Sequence, residues 1–276
     1  MDEQLYLLGL GLSRKDKIAK AIDLLREYEA QAIKMDPVNG YHLAFSGGKD
    51  SVVLKALADL ARVKYGAVYL NTTIEPPELY RFVRDRHPDV YIHQPYRSLL
   101  SLVASYKGPP TRRFRWCCSV YKEESAKHKI KLLGVRAEKS PRRALKWKTF
   151  TPIKTARQDC IALNPILYWS DQDVWAFIKD QRIEYCSLYD ECFDRLGCIG
   201  CPMAGAKRVE EFERWPGYGR AWRRAIDTWW KDHVGTKTKT GNDHQASKFR
   251  DSEHAWQHWM DNTEPWDPDQ CQFPLF

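Results

Sequence analysis

The heptapeptide Phe45-Ser46-Gly47-Gly48-Lys49-Asp50-Ser51 constrains this chain more than any other stretch. A short apolar run, 41–45, precedes it. Val52, Val53, Leu54, Ala56, Leu57 and Leu60 follow at helical spacing. The order is strand, tight glycine turn, helix start. Glycines let backbone N–H groups close on an oxygen anion, and a helix N-terminus adds partial positive charge. Lys49 adds a full charge, and Ser46 and Ser51 add hydroxyl donors. The stretch therefore reads as a phosphate cradle made of Ser46, Gly47, Gly48, Lys49, Asp50 and Ser51. An ordinary glycine turn between a strand and a helix is the plainer alternative. The spacing is not that of a Walker A loop, which keeps four residues between its first glycine and Gly-Lys.

Ser-Gly-Gly-Lys-Asp-Ser resembles the pyrophosphate loop of the N-type ATP pyrophosphatases. That resemblance implies ATP as ligand, split between its α and β phosphates to adenylate a substrate. The next β-rich run, 65–71, completes a βαβ unit, and such units build parallel sheets. Ligands of open α/β sheets sit at the carboxyl ends of the strands. Asn71 and Thr72, with Thr73 and Glu75, are thus candidates for the ribose or adenine. A polar strand end capping a helix that starts near Pro76 explains them equally well.

Ser13 and Asp16 form a loose capping box ahead of an apolar face, which predicts a helix over 14–34. Asp36-Pro37-Val38-Asn39-Gly40 is a turn. Further strands are expected at 90–93 and 131–135, a helix after Pro95, a break at 107–110, and a helix capped by Ser170 with Asp173 three residues on. Residues 235–247 are polar and glycine-bearing, a mobile loop. The fold class is α/β: a mostly parallel twisted sheet flanked by helices, Rossmann-like, with a C-terminal helical lobe. Seven of the 11 tryptophans follow residue 214. The expected division is therefore a nucleotide-binding domain over 1–205 and a Trp-rich helical lobe over 206–276, whose Val209, Phe212, Trp215, Trp222, Ile226, Trp229 and Trp230 fall near helical spacing.

No run of eighteen apolar residues exists, and the first ten residues carry acids and no basic stretch, so neither a membrane span nor a signal peptide is expected. The net charge of +8 suits an anionic partner, a nucleotide or nucleic acid, as well as it suits a solvated surface. Eight cysteines in a chain of this type point to metal or catalysis before disulfides. Cys117 and Cys118 are adjacent, and Cys198 and Cys201 form Cys-x-x-Cys eighty residues later. Structural zinc prefers pairs spaced by two to four residues. An iron–sulfur cluster takes four thiolates at other spacings. A redox-active Cys-x-x-Cys beside two buried thiols is the third reading. Cys160, Cys186 and Cys192 have no partner spacing and read as core or incidental thiols.

Cys-Cys, some eighty residues, then Cys-x-x-Cys resembles the [4Fe–4S] motif of assimilatory adenylylsulfate reductases and related proteins of the phosphoadenosine phosphosulfate (PAPS) reductase family. The resemblance spans about 40–205. It includes the phosphate loop, Gly134-Val135-Arg136-Ala137-Glu138-Lys139-Ser140, and the Pro-Ile-Leu-x-Trp-Ser-x-x-Asp-Val-Trp segment ending at Trp175. It implies that Cys117, Cys118, Cys198 and Cys201 hold a [4Fe–4S] cluster in a reducing, cytoplasmic setting. It also implies that Arg136, Arg142 and Arg143 face the phosphate or sulfate of the nucleotide. Guanidinium forks bind such anions bidentately. Trp147, among Lys146 and Lys148, is placed to stack on a base. A solvated basic loop is the plainer reading of the same segment.

Two features separate branches of that family. Its reductases resemble one another in a phosphate loop lacking lysine and in a C-terminal Glu-Cys-Gly-(Leu/Ile)-His nucleophile motif. Here Lys49 is present, and the tail reads Asp269-Gln270-Cys271-Gln272-Phe273. The leading expectation is therefore ATP pyrophosphatase chemistry coupled to sulfur transfer. Lys49 meets the β/γ phosphates, Asp50 contacts Mg²⁺, and a sulfur-donor protein or thiol and a nucleic-acid acceptor serve as partners. The alternative is a PAPS or adenylylsulfate reductase releasing sulfite, with Cys271 as nucleophile. A third reading is a non-catalytic nucleic-acid-binding module.

Overall fold

The structure, a computed structural model, describes residues 12–123, 126–154 and 159–261. The readings placed on the first ten residues and on Cys271 lie outside them. The chain divides into two compact units. One comprises residues 12–71, 77–94 and 121–197, and the other 72–76, 95–120 and 198–261. The division expected at residue 205 follows the tryptophan distribution. The compact units instead take in two earlier segments, one of them carrying Cys117 and Cys118.

The first unit is a six-stranded sheet with β1 (Tyr41–Ala44), β2 (Tyr65–Leu70), β3 (Tyr91–His93), β4 (Ile130–Leu132), β5 (Phe150–Lys154) and β6 (Asp159–Leu163), ordered β3-β2-β1-β4-β6-β5. All neighbours pair in parallel except β5 with β6. The α/β reading holds, and the antiparallel hairpin is an addition to it. Pro152 hides β5 from a periodicity argument, and an edge strand is where a sheet tolerates proline.

Helices α1 (Arg14–Glu27), α2 (Glu29–Met35), α3 (Lys49–Ala61), α4 (Pro77–Arg86), α7 (Pro141–Lys146) and α8 (Asp171–Asp180) belong to this unit, and α5 (Leu99–Leu102), α6 (Trp116–Cys118), α9 (Lys207–Arg214), α10 (Pro216–His233) and α11 (Ser252–Asp261) to the other. The single helix expected over 14–34 is two. It breaks at Tyr28, whose ring stacks on Phe150 at 4.7 Å between centroids. Both expected capping boxes form, Ser13 with Asp16 and Ser170 with Asp173. α3 buries Val52, Val53, Leu54, Leu57, Ala58 and Ala61 against Leu43, Phe45 and Ala67 of the sheet. At about 25 cal/mol per Å² of apolar surface, such burial is the main stabilising term that seats the helix start at the end of β1.

In the second unit α10 buries Trp222, Ile226 and Trp229, as their spacing foretells, whereas on α9 Val209 is exposed and Arg208 is buried. Residues 235–247 hold an isolated bridge, Lys237 with Asp243, rather than open loop alone.

The turn before β1 supplies an acid-stability prediction. The Asp36 carboxylate accepts from the Val38 and Asn39 N–H groups and pairs with Lys129 at 2.7 Å. The Lys129 contact, against the opposing effect of burial, holds its pKa below the ordinary 3.8. A depressed carboxyl stabilises the fold above its unfolded pKa, and that contribution disappears as pH falls through the folded value. Asp36→Asn should lower stability at pH 7 and flatten the loss between pH 5 and pH 2. Urea melts at both ends of that range measure it.

Candidate functional site

β1, β4 and β6 lie side by side and run in parallel, so one end of the sheet gathers three connections. The first is the loop from Phe45 into α3. Gly47 adopts φ +71°, and a Cβ there would stand 2.7 Å from Leu79 and 2.8 Å from Val83. Only glycine fits this crossing without strain. Ser51 Oγ donates to the Gly48 carbonyl at 2.8 Å and accepts from the Ser46 N–H and hydroxyl. Both hydroxyls expected to meet a phosphate are spent on holding the turn in shape.

The second connection leaves β4. Gly134 passes so close to α3 that a Cβ would lie 3.0 Å from Asp50 Cβ. That approach brings Arg136 to Asp50. Arg136, 1% exposed, donates through Nε to Asp50 at 2.9 Å, through Nη1 to Glu138 at 2.8 Å and through Nη2 to Asp171 at 2.6 Å. Asp50 also pairs with Lys139. The third connection follows β6 and delivers Asp171 at the start of α8, where it meets Lys49 Nζ at 3.0 Å. Burial works against the Asp171 charge, but Lys49 and Arg136 together hold its pKa below the ordinary value.

These side chains line a cavity of about 830 Å³, with Ser46, Gly48, Tyr189, Cys192, Arg143 and Arg195 among its walls. The Lys49 ammonium is 5.2 Å from the Trp175 ring centroid and 5.4 Å from that of Tyr189, and it also donates to the Asp194 carbonyl. The Lys49 backbone N–H donates to the Tyr189 hydroxyl oxygen at 2.9 Å. An oxygen acceptor therefore already sits on the helix N-terminus. Burial pulls the Arg143 pKa down and the nearby Arg195 pulls it further, so two like charges are held together. Neither guanidinium has a carboxylate partner among the described residues. Two guanidiniums and Lys49 thus make one wall of the cavity strongly basic.

Several expected residues take other parts. Arg136 is the hub of the carboxylates rather than an open fork. Asp50 has a cation at each oxygen, Arg136 at one and Lys139 at the other. Asn71 donates to Gln94 at 2.7 Å. Arg143 does line the cavity, and the Arg142 backbone is in α7, its side chain being outside the described part. Trp147 is half-buried beneath Lys146, 5.6 Å from its ring. Cys160 and Cys186 are buried thiols, but Cys192 is exposed in the cavity. Sequence reasoning missed Asp171, Tyr189 and Arg195, and it quoted Glu138 within its motif without giving it a part. The acid directly after the Ser170 cap was the visible signal for Asp171.

All four motif cysteines lie in the second unit. Cys117 and Cys118 are on α6, and the Cys198–Cys201 turn is closed by the Cys201 N–H donating to the Cys198 carbonyl. Trp222 Nε1 donates to Ile199 O at 3.0 Å, and a Cβ on Gly200 would meet that indole at 2.6 Å. Thr72, expected near a ribose, has its hydroxyl 3.3 Å from Cys198 Sγ, and its N–H donates to buried Glu75. The Cys117 pKa is raised by its hydrogen bond with Cys118, by burial, and by negative charge on Cys118, Cys198 and Cys201. No three His, Cys, Asp or Glu side chains among the described residues are arranged to close on one metal ion. A single zinc ion needs its sulfurs about 2.3 Å away. A four-iron cluster takes one thiolate at each of its four irons, the number of cysteines in this motif.

Comparison with known proteins now bears on the reading. Residues 40–204 match the phosphoadenosine phosphosulfate reductase domain. The chain belongs to that family. It is 30% identical over 205 residues to an uncharacterised protein of Methanocaldococcus jannaschii, covering 69% of this chain and 42% of that one. It is 28% identical over 171 residues to an adenosine 5′-phosphosulfate reductase of Staphylococcus epidermidis, covering 56% and 68%. Among solved structures, a PAPS reductase from Candida auris in a phosphate complex aligns with TM-score 0.49 and 16% identity over 71% of this chain and 93% of that one. The chain spans less than half the length of the M. jannaschii relative. No described helix is long and apolar enough to cross a membrane.

Removing Arg136 would leave Asp50 with Lys139 alone and Asp171 with Lys49 alone. Because Glu138 and Asp171 are half exposed and water screens them, Arg136→Met should cost on the order of 2 kcal/mol rather than the full penalty of a broken buried pair. Arg195→Ala should leave stability within about 0.5 kcal/mol and weaken adenine-nucleotide binding by about tenfold, with a shallower salt dependence. Denaturant melts and calorimetric titration with ATP separate the two.

Proposed function

We propose that this PAPS reductase family protein binds ATP in the cavity at the end of β1, β4 and β6 and couples release of pyrophosphate to sulfur transfer. The observation that carries the reading is the set of cations around a preshaped glycine turn: Lys49 at the helix N-terminus, with Arg143 and Arg195 lining the same cavity. Phosphate oxygens would replace the acceptors that now occupy these donors. The Tyr189 hydroxyl would yield the Lys49 N–H, and Asp171 would yield the Lys49 ammonium. Arg136 stays buried and keeps the turn after β4 in register with α3.

The reaction needs an acceptor oxygen to attack the α-phosphorus as the bond to the α,β-bridging oxygen breaks. Pyrophosphate carries away that electron pair, and the acceptor becomes an adenylate. A sulfur nucleophile then displaces AMP. Lys49, Arg143 and Arg195 act by neutralising charge on the leaving pyrophosphate and by fixing its line of departure. Mg²⁺, where it takes part, would arrive on the triphosphate, since Asp50 is already shared by Arg136 and Lys139. Cys117, Cys118, Cys198 and Cys201 would hold a [4Fe–4S] cluster, which supplies electron and sulfur-binding chemistry when bound. Such a cluster suits a reducing, cytoplasmic compartment, with a sulfur donor and a nucleic-acid acceptor as partners.

The second reading is favoured by the likeness to adenosine 5′-phosphosulfate reductases. In it the cavity binds a sulfonucleotide and Cys271 attacks sulfur, with a thiol donor releasing sulfite. Protein purified without oxygen and incubated with ATP and Mg²⁺ should release pyrophosphate, and Lys49→Ala should reduce that release at least a hundredfold. Sulfite production from adenylylsulfate that disappears in Cys271→Ser, with no pyrophosphate from ATP, would replace the first reading by the second. Cys198→Ala should lose iron while retaining nucleotide binding.

A further inference from the structure

The segment leading to Cys117 carries positive charge and no acid of its own. Residues 95–120, all in the second unit, include Arg97, Lys107, Arg112, Arg113 and Arg115 and neither Asp nor Glu. Three of these cations surround an aromatic ring in Arg112-Arg113-Phe114-Arg115. All four residues of that run are exposed, Phe114 at 64%. Elsewhere in the unit surface cations meet acids, as Arg223 meets Glu253 and Lys231 meets Asp227. Arg112 and Arg115 make no ion pair among the described residues.

Buried indoles anchor this loop. Trp116 donates through Nε1 to the Gly108 carbonyl at 3.2 Å, and Trp259 donates through Nε1 to the Pro110 carbonyl at 2.9 Å. Gly108 has φ +66° and passes so close to Trp229 that a Cβ would stand 2.7 Å from the indole. Pro109 and Pro110 fix two further φ angles. The turn beyond them is closed twice. The Thr111 N–H donates to the Phe114 carbonyl at 3.1 Å, and the Phe114 N–H donates to the Thr111 hydroxyl at 3.0 Å. The backbone that displays Phe114 is therefore set before any partner arrives, which lowers the ordering cost of binding.

The charge suits any polyanion, and the ring decides among them. One exposed phenyl among guanidiniums is too small an apolar patch for a membrane surface. An acidic peptide would pair with the guanidiniums and leave the ring in water. A single-stranded nucleic acid uses both, since phosphates meet the guanidinium forks and an unpaired base stacks on the ring. We propose that the loop 107–115 is a binding surface for single-stranded nucleic acid, with Arg112, Arg113 and Arg115 on its phosphates and Phe114 on a base. Such a surface would seat the nucleic-acid acceptor of the function proposed above, and to that extent it rests on that reading.

The test uses the full chain and short fluorescent oligouridine and oligothymidine strands, which lack the adenine assigned above to the nucleotide cavity. Anisotropy across a series of salt concentrations should give a log–log slope of about −2, from roughly −0.7 for each of three phosphate contacts. Arg112→Gln with Arg115→Gln should make that slope shallower by about 1.4. Phe114→Ala should weaken binding about tenfold at every salt concentration and leave the slope unchanged. A duplex of the same length should bind more weakly and be indifferent to Phe114→Ala, and excess ATP at fixed ionic strength should not displace the single strand. Wild type that binds no strand, or Phe114→Ala equal to wild type, overturns the proposal and leaves pyrophosphate release from ATP standing. Strand binding as expected without pyrophosphate release keeps the surface and removes the coupled chemistry. Displacement by ATP places the strand in the nucleotide cavity and overturns the proposal. So does equal dependence on Phe114 in binding to phosphatidylserine vesicles, which assigns the loop to a membrane. Should a variant not fold, photocrosslinking of thiouridine-containing strands to the wild-type chain decides: the crosslinked peptide must contain Phe114, and crosslinks confined to other segments overturn the proposal.

Discussion

The first unit depends on one buried guanidinium. Arg136 could not remain charged and enclosed without anions around it, and it has three, each from a different segment: Asp50 from α3, Glu138 from its own loop and Asp171 from α8. These interactions tie together the connections at the ends of three neighbouring strands. The sheet places the connections within reach, and the ion network orients them. The cavity inherits its shape from this arrangement. Lys49 is oriented by Asp171, which is itself oriented by Arg136, so the cation expected to meet phosphate is positioned through two charge contacts before any ligand arrives.

The same network explains why the site is ready for an anion yet stable without one. Tyr189 oxygen satisfies the Lys49 N–H, and Asp171 satisfies the Lys49 ammonium. Each is an acceptor that a phosphate oxygen can replace in kind. Arg143 and Arg195 repel one another, and Asp50 offsets this in part at Arg143. Pre-organisation of this sort lowers the ordering cost of binding, since the donors need only exchange acceptors.

How much of this was legible in the sequence follows from the range of the forces involved. The glycine turn between β1 and α3 was readable because its constraints are local: glycine freedom, a helix start and an apolar run within twenty residues. The capping boxes at Ser13 and Ser170 were readable for the same reason. The roles of Ser51, Arg136 and Asp50 were not, because which donor meets which acceptor is settled by neighbours 86 residues apart in the case of Arg136 and Asp50. Basic residues were correctly seen to cluster, but a run of charges does not reveal which member is buried among carboxylates and which faces the cavity. Edge strand β5 was hidden by Pro152, and Arg208 by an assumption that apolar residues of an amphipathic helix face inward.

Arg136 and Arg208 pose the same physical problem and solve it differently. Both are almost fully enclosed. Arg136 spends its donors on three carboxylates, so its charge is accounted for within the chain. Arg208 has backbone carbonyls, one indole face and an unsatisfied Nη1. A guanidinium in that condition keeps part of its desolvation cost, opposed first by Glu211 on the same helix. The second unit therefore carries in its core a polar cost that the first unit avoids, and the burial of Trp222, Trp229 and Trp259 has to offset it.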